Sequence, residues 1–89
     1  MKAIITVIGK DRVGIIAAIS ALLAECNVNI VNISQTIMQD IFTMIMFVDI
    51  SNSNAEIGKL SSILEAKGNE LGLTIKIQHE DIFNSMHRI

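Results

Sequence analysis

The chain has 89 residues, of which 51% are hydrophobic and 18% charged, with a formal net charge of −2. One small domain of this size buries roughly 60–65% of its unfolded surface, and its charge fraction is below the roughly 25% of an average soluble domain, so apolar surface is left for a homo-oligomeric interface, most simply a homodimer. The scattered basic residues exclude the basic face of a nucleic-acid binder, and no apolar run approaches a membrane span or a signal-peptide core, which makes the cytoplasm the expected location.

Residues Ala3 to Ile8 form a short β-branched run, as in a strand covered on both faces, and Gly9 ends it. From Val13 to Cys26 the pattern turns helical. Ile15, Ile19, Leu22 and Cys26 make one stripe, broadened by Ile16 and Leu23, while Ala17, Ala21 and Ala24 leave an outer face of small residues. Cys26 is the single cysteine. It reads as a buried inert thiol, with no disulfide or CxxC chemistry open to it. Asn27 closes the helix, since asparagine tolerates the left-handed conformation.

Residues 28–38 alternate, with Val31, Ile33 and Ile37 expected on one face and Asn32, Ser34 and Thr36 on the other. Gln39-Asp40 makes a tight turn, although not of the favoured Asn-Gly kind. In the apolar run 41–50, Phe42, Met44, Met46, Val48 and Ile50 share a face opposite Ile45 and Phe47. Ser53-Asn54-Ala55-Glu56 matches a capping box. The second helix follows, with Ile57, Leu60, Ile63, Leu64 and Leu71 inward. Gly72 ends it, and Gly58 and Gly68 each weaken it by about 1 kcal/mol relative to alanine. Residues 73–78 alternate again. The tail 79–89 adds at most a short helical turn that buries Ile82, Phe83 and Met86.

The element order is therefore β-α-β-β-α-β in a single domain over 1–89. The first and third strands are apolar on both faces, as central strands are, and the second and fourth alternate, as edge strands do. Right-handed crossovers and one hairpin then give the order 4-1-3-2 with both helices on one face. This is an α+β, ferredoxin-like sandwich built on a four-stranded antiparallel sheet.

The segment Ile8-Gly9-Lys10-Asp11-Arg12-Val13-Gly14-Ile15-Ile16-Ala17, followed by Asn29-Ile30 and Ile33-Ser34-Gln35-Thr36, carries the functional signal. A strand–turn–helix of this kind sets bare backbone N–H groups and the positive end of a helix dipole beside a small cleft. With Leu23-Ala24-Glu25 and Val28-Asn29-Ile30, the segment resembles the ACT-domain signature. It is most similar to the G-x-D-R-x-G-I subset of formyltetrahydrofolate deformylases and glycine-cleavage regulators. With the tail Gln78-His79-Glu80-Asp81-Ile82-Phe83-Asn84, the whole chain resembles a family of small stand-alone prokaryotic ACT proteins. Val13 stands where many relatives carry proline, which leaves an N–H to satisfy.

The resemblance implies a regulatory module that binds a small molecule, such as an amino acid or related metabolite, at a homodimer interface. The alternative is an interaction module that binds no ligand. The candidate ligand residues are Gly9, Asp11, Arg12, Val13, Gly14 and Asn29, each with a plainer role beside the functional one. Gly9 and Gly14 admit a ligand to the backbone, or serve the turn and its packing. Asp11 holds an ammonium group, or caps the first helix. Asn29 reaches a ligand bound by the other subunit, or ends a turn. Arg12 is expected in solvent, with pairing to an anion as its other role. No catalytic Ser-His-Asp or Cys-His set is recognisable, so an enzyme is not expected. His79, Glu80, Asp81 and His87 fit no zinc spacing, so neither a metal nor a cofactor is expected. Met38, Met44, Met46 and Met86 read as core and interface filler.

Overall fold

The computed structural model describes residues 1–81. The elements follow as β1 (Lys2–Lys10), α1 (Ile15–Glu25), β2 (Asn29–Met38), β3 (Ile41–Asp49), α2 (Ile57–Leu71) and β4 (Leu73–His79). They build one antiparallel sheet of order β2-β3-β1-β4, which is the expected 4-1-3-2 arrangement read from its other edge. The turn expected to bury Ile82, Phe83 and Met86 lies outside the described residues, as does His87.

The core occupies the space between the helices and one sheet face. Ile5, Val7, Met44, Met46 and Val48 of the central strands meet Ile19 and Leu23 of α1 and Leu60 and Leu64 of α2, all fully buried. Each such large apolar side chain contributes about 1.5–3 kcal/mol by leaving water. Ile57, Ile63 and Leu71 are half-buried at the margins. Cys26 is a free, buried thiol.

Helix ends differ from the pattern-based expectation in two places. α1 begins at Ile15 on Gly14, whose φ of 90° and ψ of 4° are left-handed, and no side chain caps it. The expected Asp11 cap is therefore absent, because the chain enters the helix through a glycine turn that keeps Asp11 outside. α2 begins on Glu56, again without a side-chain cap, which removes the Ser53–Glu56 capping box. Ser53 closes a local turn instead: its Oγ accepts from the Ala55 amide at 3.1 Å and donates to the Ala55 carbonyl at 2.8 Å.

The C-termini match the sequence better. Asn27 takes φ 59°. Its amide donates to Ala24 and that of Val28 to Leu23, which satisfies two orphan carbonyls in a Schellman arrangement. Gly72 closes α2 at φ 73°. Gly68 departs from expectation, for it is not merely a weak point of the helix. A Cβ there would lie 2.7 Å from the Leu73 carbonyl oxygen, so glycine permits α2 to lie close on β4. At Gly58 a Cβ would meet nothing within 4 Å.

Strand β2 carries the main correction to the alternation. Ile30 pairs with Val48 and Ile33 with Met46, with a register shift between Ile30 and Asn32. Val31 is thus the extra residue of a β-bulge. Beyond it, Ile33, Gln35 and Ile37 lie on the helix side, opposite Met46, Met44 and Phe42, and Val31 itself has no partner on β3. The whole stretch from Val31 to Met38 is exposed, because α1 touches β2 only slightly.

Candidate functional site

Two of the candidate glycines do different work. Gly14 needs its left-handed φ of 90°, which side chains adopt only with strain, and a Cβ there would meet nothing within 4 Å. It turns the chain so that α1 starts uncapped. Gly9 instead faces the core side of β1, where a Cβ would come within 2.4 Å of the Leu73 side chain. Its absent side chain lets β4 and the end of α2 approach.

The turn is braced from two sides. The Asp11 amide donates to the Asp40 carbonyl at 2.7 Å, which ties the turn to the β2–β3 hairpin. That hairpin turn holds Gln39 at φ 47° and Asp40 at φ 70°, the paired positive values of a type I′ turn. Arg12 is exposed, but its guanidinium donates from Nη1 to the Leu71 carbonyl at 3.2 Å. A cation at that end of α2 also favours the helix dipole. Val13 projects fully into solvent.

Between the start of α1 and the exposed edge of β2 runs an open groove of about 490 Å³. Asp11, Arg12 and Gly14 border it at the turn, Ile15, Ile16 and Ala17 along the helix, and Gln35, Ile37 and Phe42 along the sheet. The amides of the first helical turn have no partner within the helix, and no side chain caps them. The groove therefore combines an apolar floor with backbone donors and a partial positive charge at one end. That suits a small ligand with a carboxylate and an apolar or short side chain. Gln35 is a groove residue that sequence reasoning missed. Alternation sets it between Ile33 and Ile37 on their shared face, but a polar residue there carries no signal of a groove until α1 is seen to leave that face open.

Asn29 is not in this groove. It pairs with Asp49, whose strand neighbour across β1 is Lys2, while the turn lies beyond Lys10, Ile41 and Met38 at the other end of the same strands. Eight or nine residues of strand separate the two ends, about 25–30 Å. Around Asn29 a second, polar hollow of about 450 Å³ is lined by Ala24, Asn27, Val28, Asn29, Asp49 and Asn52. The Asn27 side chain donates from Nδ2 to the Asn52 carbonyl at 2.8 Å, and Asn54 Nδ2 donates to the Glu25 carbonyl at 3.0 Å. Asp49 accepts from the Ser51 amide at 2.9 Å. Hydrogen bonds from the Ser51 hydroxyl and amide, with a lesser contribution from the amino terminus, pull its carboxyl from 3.8 down to about 2. The Asp49 carboxylate is thus ionised at neutral pH, with the Met1 amino terminus 3.5 Å away as its counter-ion.

A third groove, of about 420 Å³, runs between α2 and β4 past Ser61, Glu65 and Asn69. No helix start borders it. Among the described residues no three His, Cys, Asp or Glu side chains gather as metal ligands do, and no helix is long and apolar enough to cross a membrane.

Residues 2–78 match the family model described as the ACT domain. A UPF0237 protein of Clostridium acetobutylicum is 61% identical over the full length of both chains. Another, from the archaeon Methanopyrus kandleri, is 50% identical over 99% of this chain and 98% of its own. Among solved structures, an ACT domain protein from Streptococcus pneumoniae superposes with a TM-score of 0.82 at 44% identity, covering 93% of each chain.

Proposed function

We propose, from the premise that the chain belongs to the ACT-domain family, that it is a regulatory small-molecule-binding module, working as a homodimer in the cytoplasm. The ligand is an α-amino acid or a related small metabolite. The observation that carries this reading is the uncapped start of α1 opening on the groove beside the bare β2 edge. A carboxylate is matched by the free amides of Ile15, Ile16 and Ala17, and an ammonium group by the Asp11 carboxylate. Gly14 keeps the backbone open to approach.

Asn29 enters through the second subunit. Antiparallel pairing of two β2 edges sets the Asn29 end of one strand against the Met38 end of the other. The turn of one subunit then faces Asn29 of the partner subunit, with the polar hollow around Asp49 alongside. This geometry reconciles one site with two residues held about 25–30 Å apart in a single chain. It also covers Val31, Ile37, Met38 and Ile41, all exposed here. That apolar strip is equally served by the second reading, in which the β2 pairing is the whole function and no ligand binds.

No catalysis forms part of the proposal. Cys26 is buried, and His79 lies beside Ala3, at the end of the sheet remote from the turn.

A thermal-shift screen over the amino acids and common metabolites separates the readings. A ligand at 100 times its Kd stabilises the fold by about 2.7 kcal/mol, and silence across the panel favours the interaction module. With a ligand found, calorimetry on Asn29→Ala is expected to show a loss of about 1–3 kcal/mol in binding. Unchanged affinity with the dimer intact moves the site away from Asn29.

A further inference from the structure

β4 ends the sheet and pairs with β1 alone. Along its other side, alternate backbone N–H and C=O groups have no strand beside them among the described residues. The groove of about 420 Å³ follows this edge. Residues 73–78 in succession form one side of it, and Ser61, Glu65 and Asn69 of α2 form the other. Those three stand four residues apart, on one ridge of the helix about 12 Å long. α2 runs antiparallel to β4, since Gly68 near the end of the helix lies against Leu73 and Ile75 at the start of the strand. The groove is thus a trough shaped for an extended chain, between a strand edge and a polar helix ridge.

The two charges of the trough lie on opposite faces of that edge. Leu73 and Ile75 are buried on the helix side of β4, which puts Lys76 on the other face, exposed and paired in register with Thr6 of β1. Glu65 is exposed on the helix side, midway along the ridge, and Lys76 is the midpoint of β4. Neither forms an ion pair among the described residues. A strand added about 4.8 Å from β4 sends successive side chains to opposite faces. At mid-length, one of two adjacent residues then lies toward Glu65 and the other beside Lys76. A basic residue suits the first position and an acidic residue the second. A second copy of β4 does not match. Antiparallel pairing centred on Lys76 sets Lys76 against Lys76, and like charges directly opposite are destabilising.

We infer that the β4 edge takes an extended peptide segment of another protein as an added strand, with an adjacent basic–acidic pair of that segment meeting Glu65 and Lys76. Main-chain hydrogen bonds supply the affinity. The charge pair fixes the register and turns away a second copy. This docking is independent of the ligand reading above, since neither the α1 turn nor the β2 edge takes part.

Amide NMR on the full chain tests it, with a short valine- and threonine-rich peptide that carries a central lysine–glutamate pair. The largest shifts are expected along 73–78, with the β2 amides unmoved. Peptides with a lysine–lysine or a glutamate–glutamate pair are expected to bind at least about tenfold more weakly. Glu65→Lys is expected to lower the affinity for the lysine–glutamate peptide about tenfold. Adding Lys76→Glu is expected to restore it, because a one-residue slip of the bound strand exchanges the faces of its two charges. Both positions are exposed, so neither change touches the core. Equal affinity for the three peptides, binding by none of them, or shifts confined to β2 overturn the inference. So does a double variant that binds no better than Glu65→Lys alone.

Discussion

The two edges of the sheet are built to opposite specifications. β4 lies under α2, which approaches closely at Gly68, and it buries Leu73 and Ile75 while carrying Lys76 outward. β2 has little helix over it, and from Val31 to Met38 it has neither proline nor lysine. Edge strands left unguarded in this way invite pairing, and charge or proline prevents it. One edge strand is thus packed beneath a helix of the chain itself, and the other is left bare.

The comparison breaks most visibly through the core. Leu64→Ala removes a fully buried side chain of α2 and is expected to cost about 2–5 kcal/mol in urea unfolding. Ile37→Ala, at a position 54% exposed on β2, is expected to leave single-chain stability within about 0.5 kcal/mol. Its effect should appear instead as a stability that depends on protein concentration. Equal losses at both sites, whatever the concentration, refute the contrast between the edges.

Charge on the open edge is the next largest effect. Ser34 lies near the middle of β2, so Ser34→Lys places like charges near the two-fold of an antiparallel pair. Dimer dissociation by analytical ultracentrifugation is expected to rise at least about tenfold, or roughly 1.4 kcal/mol, whereas Lys76→Ser on the other edge changes nothing. A dimer indifferent to Ser34→Lys moves the interface off β2.

Two glycines of α2 sharpen the account of the packed edge strand. Gly58→Ala is expected to stabilise by up to about 1 kcal/mol, because the added methyl meets nothing. Gly68→Ala is expected to destabilise by about 1–3 kcal/mol, because its Cβ falls 2.7 Å from the Leu73 carbonyl oxygen. Opposite signs in thermal melts are the check. Stabilisation at both positions removes the close approach of α2 to β4.

The smallest effect is electrostatic. Asp49 titrates near 2 rather than 3.8 because Ser51 donates to its carboxylate. The unfolded chain then binds more protons than the folded one between those values. The contribution is complete above about pH 4 and is lost as pH falls through about 2. NMR titration of Ser51→Ala is expected to return Asp49 toward 3.8, and an unmoved titration removes Ser51 as the cause.

Much of this architecture was legible without coordinates. Apolar periodicity separated the helices from the strands, and continuous runs told the central strands β1 and β3 from the alternating edges β2 and β4. Asn27 and Gly72 announced the helix ends, since few residues accept a left-handed turn. The glycine-flanked turn was equally plain as a place where backbone donors meet a helix start. Capping was misread twice. Asp11 and Ser53 are good capping residues by type, but whether an oxygen reaches a first-turn amide depends on the path of the entering chain.

Element order, strand order and the core faces were therefore determined by the sequence itself, because side-chain period and crossover handedness are local properties of the chain. Tertiary structure alone decided the rest. Gly9 and Gly68 are required by Leu73 and its carbonyl, partners remote from Gly9 in sequence. The bulge at Val31 is set by the pairing of β2 with β3. Asn29 lies far from the turn because the sheet sets the two at opposite ends of its strands. Each of these is a distance between parts of the chain that meet only on folding, and no local pattern encodes such a distance.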